Sequence, residues 1–500
     1  MYDYIVGFLR QDIQEEGMGK FSAELDAIMK TRDVALAEVI RDTGISRASF
    51  FKYRNGSRLP SDLNTVRRIA EVLKLNYDES RRFTEAFMID QIGEYQYRGM
   101  MAVEKLLCTP IGFLRMKKTE KASSGGFRDD DARSTFTGQL PVTMKIMSVI
   151  AGGLEKGNVT VFETISSDEI FRIISQVKGS EREHEIMHIM AMNGSDSAAV
   201  TDRLYNVERL GSIIRTLCSC EGYRPFYYYA SLSTLRTLGI LQTNMILTRD
   251  TVLCYAEDYS SAAVYRDPET VAMYGSIAAG IGRIASPYAE KMSLANSIKT
   301  YNRFNQHSGV RYSFIPGMCV TSIIKKTDDL LANNIRHDIE GVDEFLAGYE
   351  RYAVNLQRAI ARNDGKYHYV VSGPGVRYSY YMGMINEFPK EATIPLDKEG
   401  TLKLLRRFRR ISATHDFRVL DDDRFPADNT IGLEAVPGQA MISMILPGEF
   451  AMRVIVLREQ STAALIFDYL AAVYENKALS GEERENWYDK MLAEDEGTEA

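Results

Sequence analysis

Cysteine is scarce, five residues in 500 without paired spacing. An odd, scattered set builds no disulfide scaffold and fits a reducing compartment. Proline is also sparse, thirteen residues, which excludes a collagen-like or proline-rich chain. No apolar run reaches the roughly 18–20 residues of a membrane-spanning helix. The best stretch, Ala440–Leu457, is interrupted by Pro447 and Glu449. The first ten residues carry neither a basic region nor a small-residue cleavage site, so no secretory signal is expected. These absences point to a cytoplasmic chain with no membrane partner.

What is present is ordinary folded protein: 45% hydrophobic and 26% charged residues, which excludes wholesale disorder. Single cores stop growing near roughly 250–300 residues, so two or three domains are expected. The net charge of −7 is uneven, because residues 481–500 hold eight acids against two bases. That end reads as a solvated acidic tail. The remainder is close to neutral, and a local basic face is compatible with it.

Three zones follow along the chain. Residues 1–78 show helical but no strand alternation. A long helix over Glu79–Leu107, carrying Phe83, Phe87, Met100, Val103 and Leu107, is expected to connect head to body over 79–116 and to pair subunits. Residues 117–139 are polar and aperiodic, the best linker. Residues 140–480 alternate β-branched runs with helical stretches, an α/β body.

Two segments of that body share a plan. A hairpin pattern begins at Asn244, and a helix follows Asp267-Pro268 with Val271, Tyr274, Ile277 and Ile281 at helical spacing. A second hairpin pattern runs from Ile442, and its helix presents Ala464, Phe467, Leu470 and Val473. The body therefore reads as two β-hairpin-plus-helix repeats, alongside the plainer reading that such units are common. Gly341–Arg362 and Thr401–Ile411 are helical as well.

The most specific signal is Val39–Asp62. A helix over Ala35–Asp42 ends near Gly44, suited to a left-handed turn. Ile45 can plug the gap between helices, and Ser46 can cap a second helix, Arg47–Arg54. There Phe50 and Tyr53 face inward, while Arg47, Ala48, Ser49 and Lys52 face out. Gly56 and Pro60 mark the exit, and Leu63, Val66, Ile69, Ala70 and Leu73 keep helical spacing in the next helix.

This Gly44-Ile45-Ser46 turn, the Gly56 to Pro60 exit and the following Ile69-Ala70 to Leu73 helix resemble the helix-turn-helix of the XRE family, the phage-repressor and Cro-like type. The resemblance covers about residues 20–76. It implies a transcriptional regulator that binds a double-stranded DNA operator through Ser46, Arg47, Ala48, Ser49, Lys52, Asn55 and Arg58. From Ser46 to Ser61 there are four bases and no acid, as a phosphate-facing surface requires. Arg54-Asn55 departs from the family, where an acidic residue often precedes the glycine, and one contact inside the domain is expected to weaken.

Other patterns compete. His184-Glu-Ile-Met-His188 matches the zinc-peptidase motif, in which two histidines one helical turn apart bind Zn²⁺. Glu208 would be the third ligand. Glu183 and Met187 depart from that family, and the preferred reading is a partly exposed helix face with no metal and no cofactor. Gly280–Ala285 fits a dinucleotide pattern but follows helix, not strand. Ser372-Gly-Pro-Gly375 lacks the lysine of a phosphate loop, and Cys218-Ser-Cys220 has no partner pair. A duplicated α/β body would be similar to the phospholipase D fold, yet none of the six histidines is followed two residues later by lysine. Arg224, Tyr227, Tyr229, Arg377 and Tyr380 set aromatics beside arginine and suggest a pocket for a small-molecule or peptide effector. The expected whole is a homodimeric regulator, not an enzyme, with the zinc peptidase as the alternative.

Overall fold

In the computed structural model, the residues described are 19–32, 34–110, 112, 135–177, 184–194, 200–232, 234–235, 244–292, 299–301, 303–304, 309–323, 333–362, 366–388, 390–428, 430–446 and 452–497. The chain divides into two compact units, Met1–Met101 and Ala102–Ala500.

The first unit is helical: α1 (Lys20–Arg32), α2 (Leu36–Thr43), α3 (Arg47–Arg54), α4 (Leu63–Val72), α5 (Tyr77–Ile92) and most of α6 (Glu94–Leu107). Phe21, Leu25, Val39, Phe50, Val66, Ile69, Phe83 and Phe87 form its core. Phe21 meets Phe83 with ring centroids 4.7 Å apart and Phe87 at 5.7 Å. Phe83 and Phe87 therefore do not form a subunit seam; the head uses them itself. Nor is Glu79–Leu107 one helix. It breaks at Gly93, whose φ of +88° no L residue adopts without strain.

The second unit contains two mixed sheets. The first has eight strands: β1 (Thr135–Thr137), β2 (Val159–Glu163), β3 (Ile186–Asn193), β4 (Tyr223–Ala230), β5 (Asn244–Leu247), β6 (Val252–Tyr255), β7 (Ser261–Tyr265) and β8 (Ser286–Pro287). The second has seven: β9 (Ala289–Met292), β10 (Arg311–Ile315), β11 (Tyr367–Ser372), β12 (Arg418–Leu420), β13 (Gly432–Val436), β14 (Gln439–Ile445) and β15 (Met452–Leu457). The first sheet runs β1-β7-β6-β5-β2-β3-β4-β8, and the second β12-β11-β10-β13-β14-β15-β9. In each, three parallel strands (β2-β3-β4 and β10-β11-β12) continue into an antiparallel trio (β5-β6-β7 and β13-β14-β15). One short segment links the sheets, since Pro287 pairs with Phe226 of β4 and Ala289 with Leu457 of β15.

Helices cover the faces. α7 (Gln139–Leu154), α8 (Asp168–Gln176), α9 (Val200–Glu208), α10 (Leu210–Ser219) and α11 (Pro268–Ile284) accompany the first sheet. α12 (Val320–Ile323), α13 (Val342–Ala361), α14 (Gly373–Met382), α15 (Lys398–His415), α16 (Gln460–Asn476) and α17 (Gly481–Gly497) accompany the second. Leu356 of α13, Val376 of α14, Phe408 of α15 and Tyr369 of β11 share one core with Trp487, Tyr488 and Met491 of α17. The acidic end is thus a packed helix over most of its length, not a solvated tail.

Both hairpins predicted from sequence are present; the first continues into β7 before α11, and the second leads directly to α16. Asp267 caps α11 by accepting from the Thr270 N–H at 2.8 Å. On α11, Val271, Tyr274 and Ile281 pack on the first sheet as expected, but Ile277 points outward and is 46% exposed. On α16, Ala464 is exposed and Ala463 and Ile466 are buried instead. The expected linker lies mostly outside the described residues, and its end forms β1 and the start of α7. The end of α6 is held within the second unit: buried Glu104 accepts from Arg424 Nη1 at 2.8 Å and Lys477 Nζ at 2.9 Å.

Candidate nucleic-acid interface

α2, the following turn and α3 make the site. Gly44 closes α2 at φ +69°, and its N–H reaches the Ile40 carbonyl at 3.0 Å. The Ser46 hydroxyl accepts from the Ser49 N–H at 3.2 Å, fixing the first turn of α3. Phe50 and Tyr53 bury into the core, so the orientation of α3 is locked from inside. Ser46, Arg47, Ala48, Lys52, Asn55 and Arg58 are exposed, while Ser49, expected on the outer face, is half-buried.

The exposed side chains are only lightly committed. The Arg47 guanidinium lies 5.8 Å from the centre of the exposed Phe51 ring. The Asn55 Oδ1 accepts from the Ser57 hydroxyl at 2.7 Å and its N–H at 3.1 Å, which ties it to the exit turn. Phe51 was missed by sequence reasoning; its one-residue offset from the Phe50 and Tyr53 pair was the available signal.

The Arg54 departure does not cost the domain a contact. Arg54 Nη2 lies 2.6 Å from Asp26 Oδ1, so the acid is supplied by α1. A hydrogen bond from Lys30, then one from Arg54, holds the Asp26 carboxyl below the usual range. Asn76 and Glu79 form a capping box at the start of α5, and Arg32 pairs with the same Glu79.

The zinc-peptidase motif falls on a strand. His184 precedes β3 and His188 lies within it, so four residues separate their backbones by roughly 13 Å, not one helical turn. The partly exposed helix face is likewise corrected, because His188 is fully buried. Its Nδ1 lies 3.0 Å from the Tyr223 hydroxyl and its Nε2 3.3 Å from Glu163 Oε2. Glu163 also accepts from the Tyr255 hydroxyl at 2.7 Å. Glu208 is exposed on α9. Among the described residues no three His, Cys, Asp or Glu side chains gather as a metal site.

The aromatic and arginine residues occupy separate elements. On β4, Arg224 pairs with Glu185 at 2.8 Å, Tyr227 donates to the Arg458 carbonyl at 3.5 Å and Tyr229 donates to Glu459 at 2.8 Å. On α14, Arg377 pairs with Asp421 at 2.7 Å and lies 5.1 Å from the Trp487 ring centre, while Tyr380 is buried. Ser372 caps α14 by accepting from the Gly375 N–H. A Cβ at Gly375 would sit 1.7 Å from the Pro316 carbonyl oxygen, so that glycine serves chain crossing and no phosphate loop forms.

Residues 24–79 match the Cro/C1-type HTH DNA-binding domain family. No curated protein matches the chain. Among solved structures, phosphatidylserine synthase from Haemophilus influenzae Rd KW20 aligns over 78% of this chain and 93% of its own at 11% identity, with a TM-score of 0.25. A likeness that distant carries no argument here.

Proposed function

We propose that the chain is a cytoplasmic, sequence-specific transcriptional regulator, probing the major groove with α3 and using its α/β body to assemble two copies and sense an effector. One observation carries the reading: a Cro/C1-type head whose α3 is fixed from inside by Phe50 and Tyr53 while Arg47, Ala48 and Lys52 face outward. A short helix so presented fits the major groove with its N-terminal residues at base edges.

The body is read as two copies of one unit, because six strands follow the same order in both sheets and a helix follows each hairpin. Dimerisation is supported by α11, which turns Met273, Ile277 and Ile284 outward, 53%, 46% and 68% exposed. A second copy is the occupant proposed for that face, since heads of this kind read paired half-sites about 34 Å apart. For the effector, Tyr229 and Arg224 on β4 and Arg377 on α14 are the proposed contacts.

Selection of bound duplexes from a random-sequence DNA pool by the full-length protein tests the reading. Enrichment of one motif with twofold symmetry is expected. Recovery of a pool no different from the input would overturn it.

A further inference from the structure

Charge is segregated on the body. α15 holds six Lys or Arg side chains and one acid, Glu399, over eighteen residues. α17, packed in the same core, holds seven acids and two bases. α13, the other long helix there, mixes three acids with two bases.

The inner side of α15 is accounted for, with Thr401, Leu404, Leu405, Phe408 and Ser412 buried. Arg409 turns to α17 and pairs with Glu485 at 2.7 Å and Asp489 at 2.6 Å. Lys403, Arg406 and Arg410 do neither. All three are exposed, and none has an ion pair among the described residues. At three- and four-residue steps they share one helical face and span roughly 10 Å along the axis. Like charges at these spacings repel, and the stripe works against its own helix until something anionic meets it.

We propose that Lys403, Arg406 and Arg410 form a second DNA contact, on the body, that grips the phosphate backbone of duplex DNA without reading bases. The proposal rests on the head being a DNA reader. Duplex DNA is favoured over other anions because the same chain brings it to hand: a contact linked to an already bound head becomes intramolecular. The stripe offers charge and reach but no partner geometry for base edges, so it adds affinity and salt dependence rather than sequence preference.

The test uses the full-length protein and a fluorescently labelled 40-base-pair duplex carrying the selected motif, titrated across a potassium chloride series. Three chains are compared with wild type: Lys403→Gln/Arg406→Gln/Arg410→Gln, the charge-retaining Lys403→Arg/Arg406→Lys/Arg410→Lys, and the head variant Arg47→Ala/Lys52→Ala. Each phosphate contact contributes about 0.9 to the slope of log affinity against log salt. The glutamine variant is expected to lose about 2–3 from the slope and tenfold or more in affinity at low salt, with its preference over a scrambled duplex unchanged. The charge-retaining variant should behave as wild type. If the triple glutamine chain fails to fold, Arg406→Gln/Arg410→Gln is read instead, with a slope loss of about 2. A folded glutamine variant with wild-type slope and affinity, beside a head variant that has lost binding, overturns the body contact and leaves the head reading intact. No duplex binding by wild type overturns both.

Discussion

A carboxylate removed from water is tolerable only while donors surround it. Glu163 meets that condition with the Tyr255 hydroxyl and the His188 ring, and His188 is itself held by Tyr223. The cluster is structural, buried beneath α8 with Phe171 against the imidazole at 5.2 Å. His188→Ala removes a ring from a packed site and strips a partner from both Glu163 and Tyr223. Unmade buried hydrogen bonds cost about 1–3 kcal/mol each, so a loss of about 3 kcal/mol is expected in urea unfolding. An unchanged midpoint would contradict that role.

Asp26 gives the head a dependence on acidity. Its folded carboxyl is held low by Lys30 first and Arg54 second. A group depressed on folding stabilises the fold above its unfolded value, near pH 4, and loses that contribution as pH falls through the folded value. The amides of α1 and α3 should therefore lose hydrogen-exchange protection below roughly pH 4 more steeply in wild type than in Asp26→Asn. Parallel pH profiles in the two proteins would remove Asp26 from the account.

At the scale of elements, the break between α5 and α6 is a backbone decision. Gly93 sits at φ +88° with nothing within 4 Å of a Cβ placed there. Gly93→Ala therefore meets no clash, only strain, and should cost roughly 1–3 kcal/mol in thermal unfolding. A neutral substitution would mean that the two helices merge without penalty.

Elements whose ends obey local rules were legible in the sequence: the Gly44 turn, the Ser46 cap and the Asp267-Pro268 start are each dictated by one or two residues. His184–His188 was not, because residues four apart share a side on a helix and on a strand alike. Only pairing with β2 and β4 decides between them. α17 was hidden by its acids, which outnumber the few positions, Trp487, Tyr488 and Met491, that dock it. Sheet order was beyond reach, since β10 pairs with β11 across the whole of α13. Of the candidate site, the exposure of Arg47, Ala48 and Lys52 on α3 was legible, whereas the exposed Phe51 was not. The aromatic–arginine segments were legible only as composition, since their partners are Glu185 before β3, Arg458 and Glu459 between β15 and α16, Asp421 after β12 and Trp487 of α17.

For the whole molecule, the proposed dimer raises the question of what would bring two heads to one operator. Phe83 and Phe87 are spent inside the head, and the interface we propose is on the body. The outer face of α11 carries exposed Met273, Ile277 and Ile284, with no charge between Glu269 and Arg283. Full-length protein should scatter light as a particle of twice the 56.5 kDa chain. Met273→Asp/Ile277→Asp should scatter as the single chain while keeping its circular dichroism spectrum, because both side chains are exposed on the surface of the single chain. A dimeric double variant would move the interface elsewhere.

The central claim is that α3 reads DNA, and the most direct measurement is fluorescence anisotropy of full-length protein on its selected duplex with and without Arg47→Ala/Lys52→Ala. Both residues are exposed on α3 and take no part in the head core, so the circular dichroism spectrum should be unchanged. Affinity should fall at least tenfold, the effect of about 1–3 kcal/mol per specific contact. A folded double variant that binds the same duplex as tightly as wild type would contradict the claim.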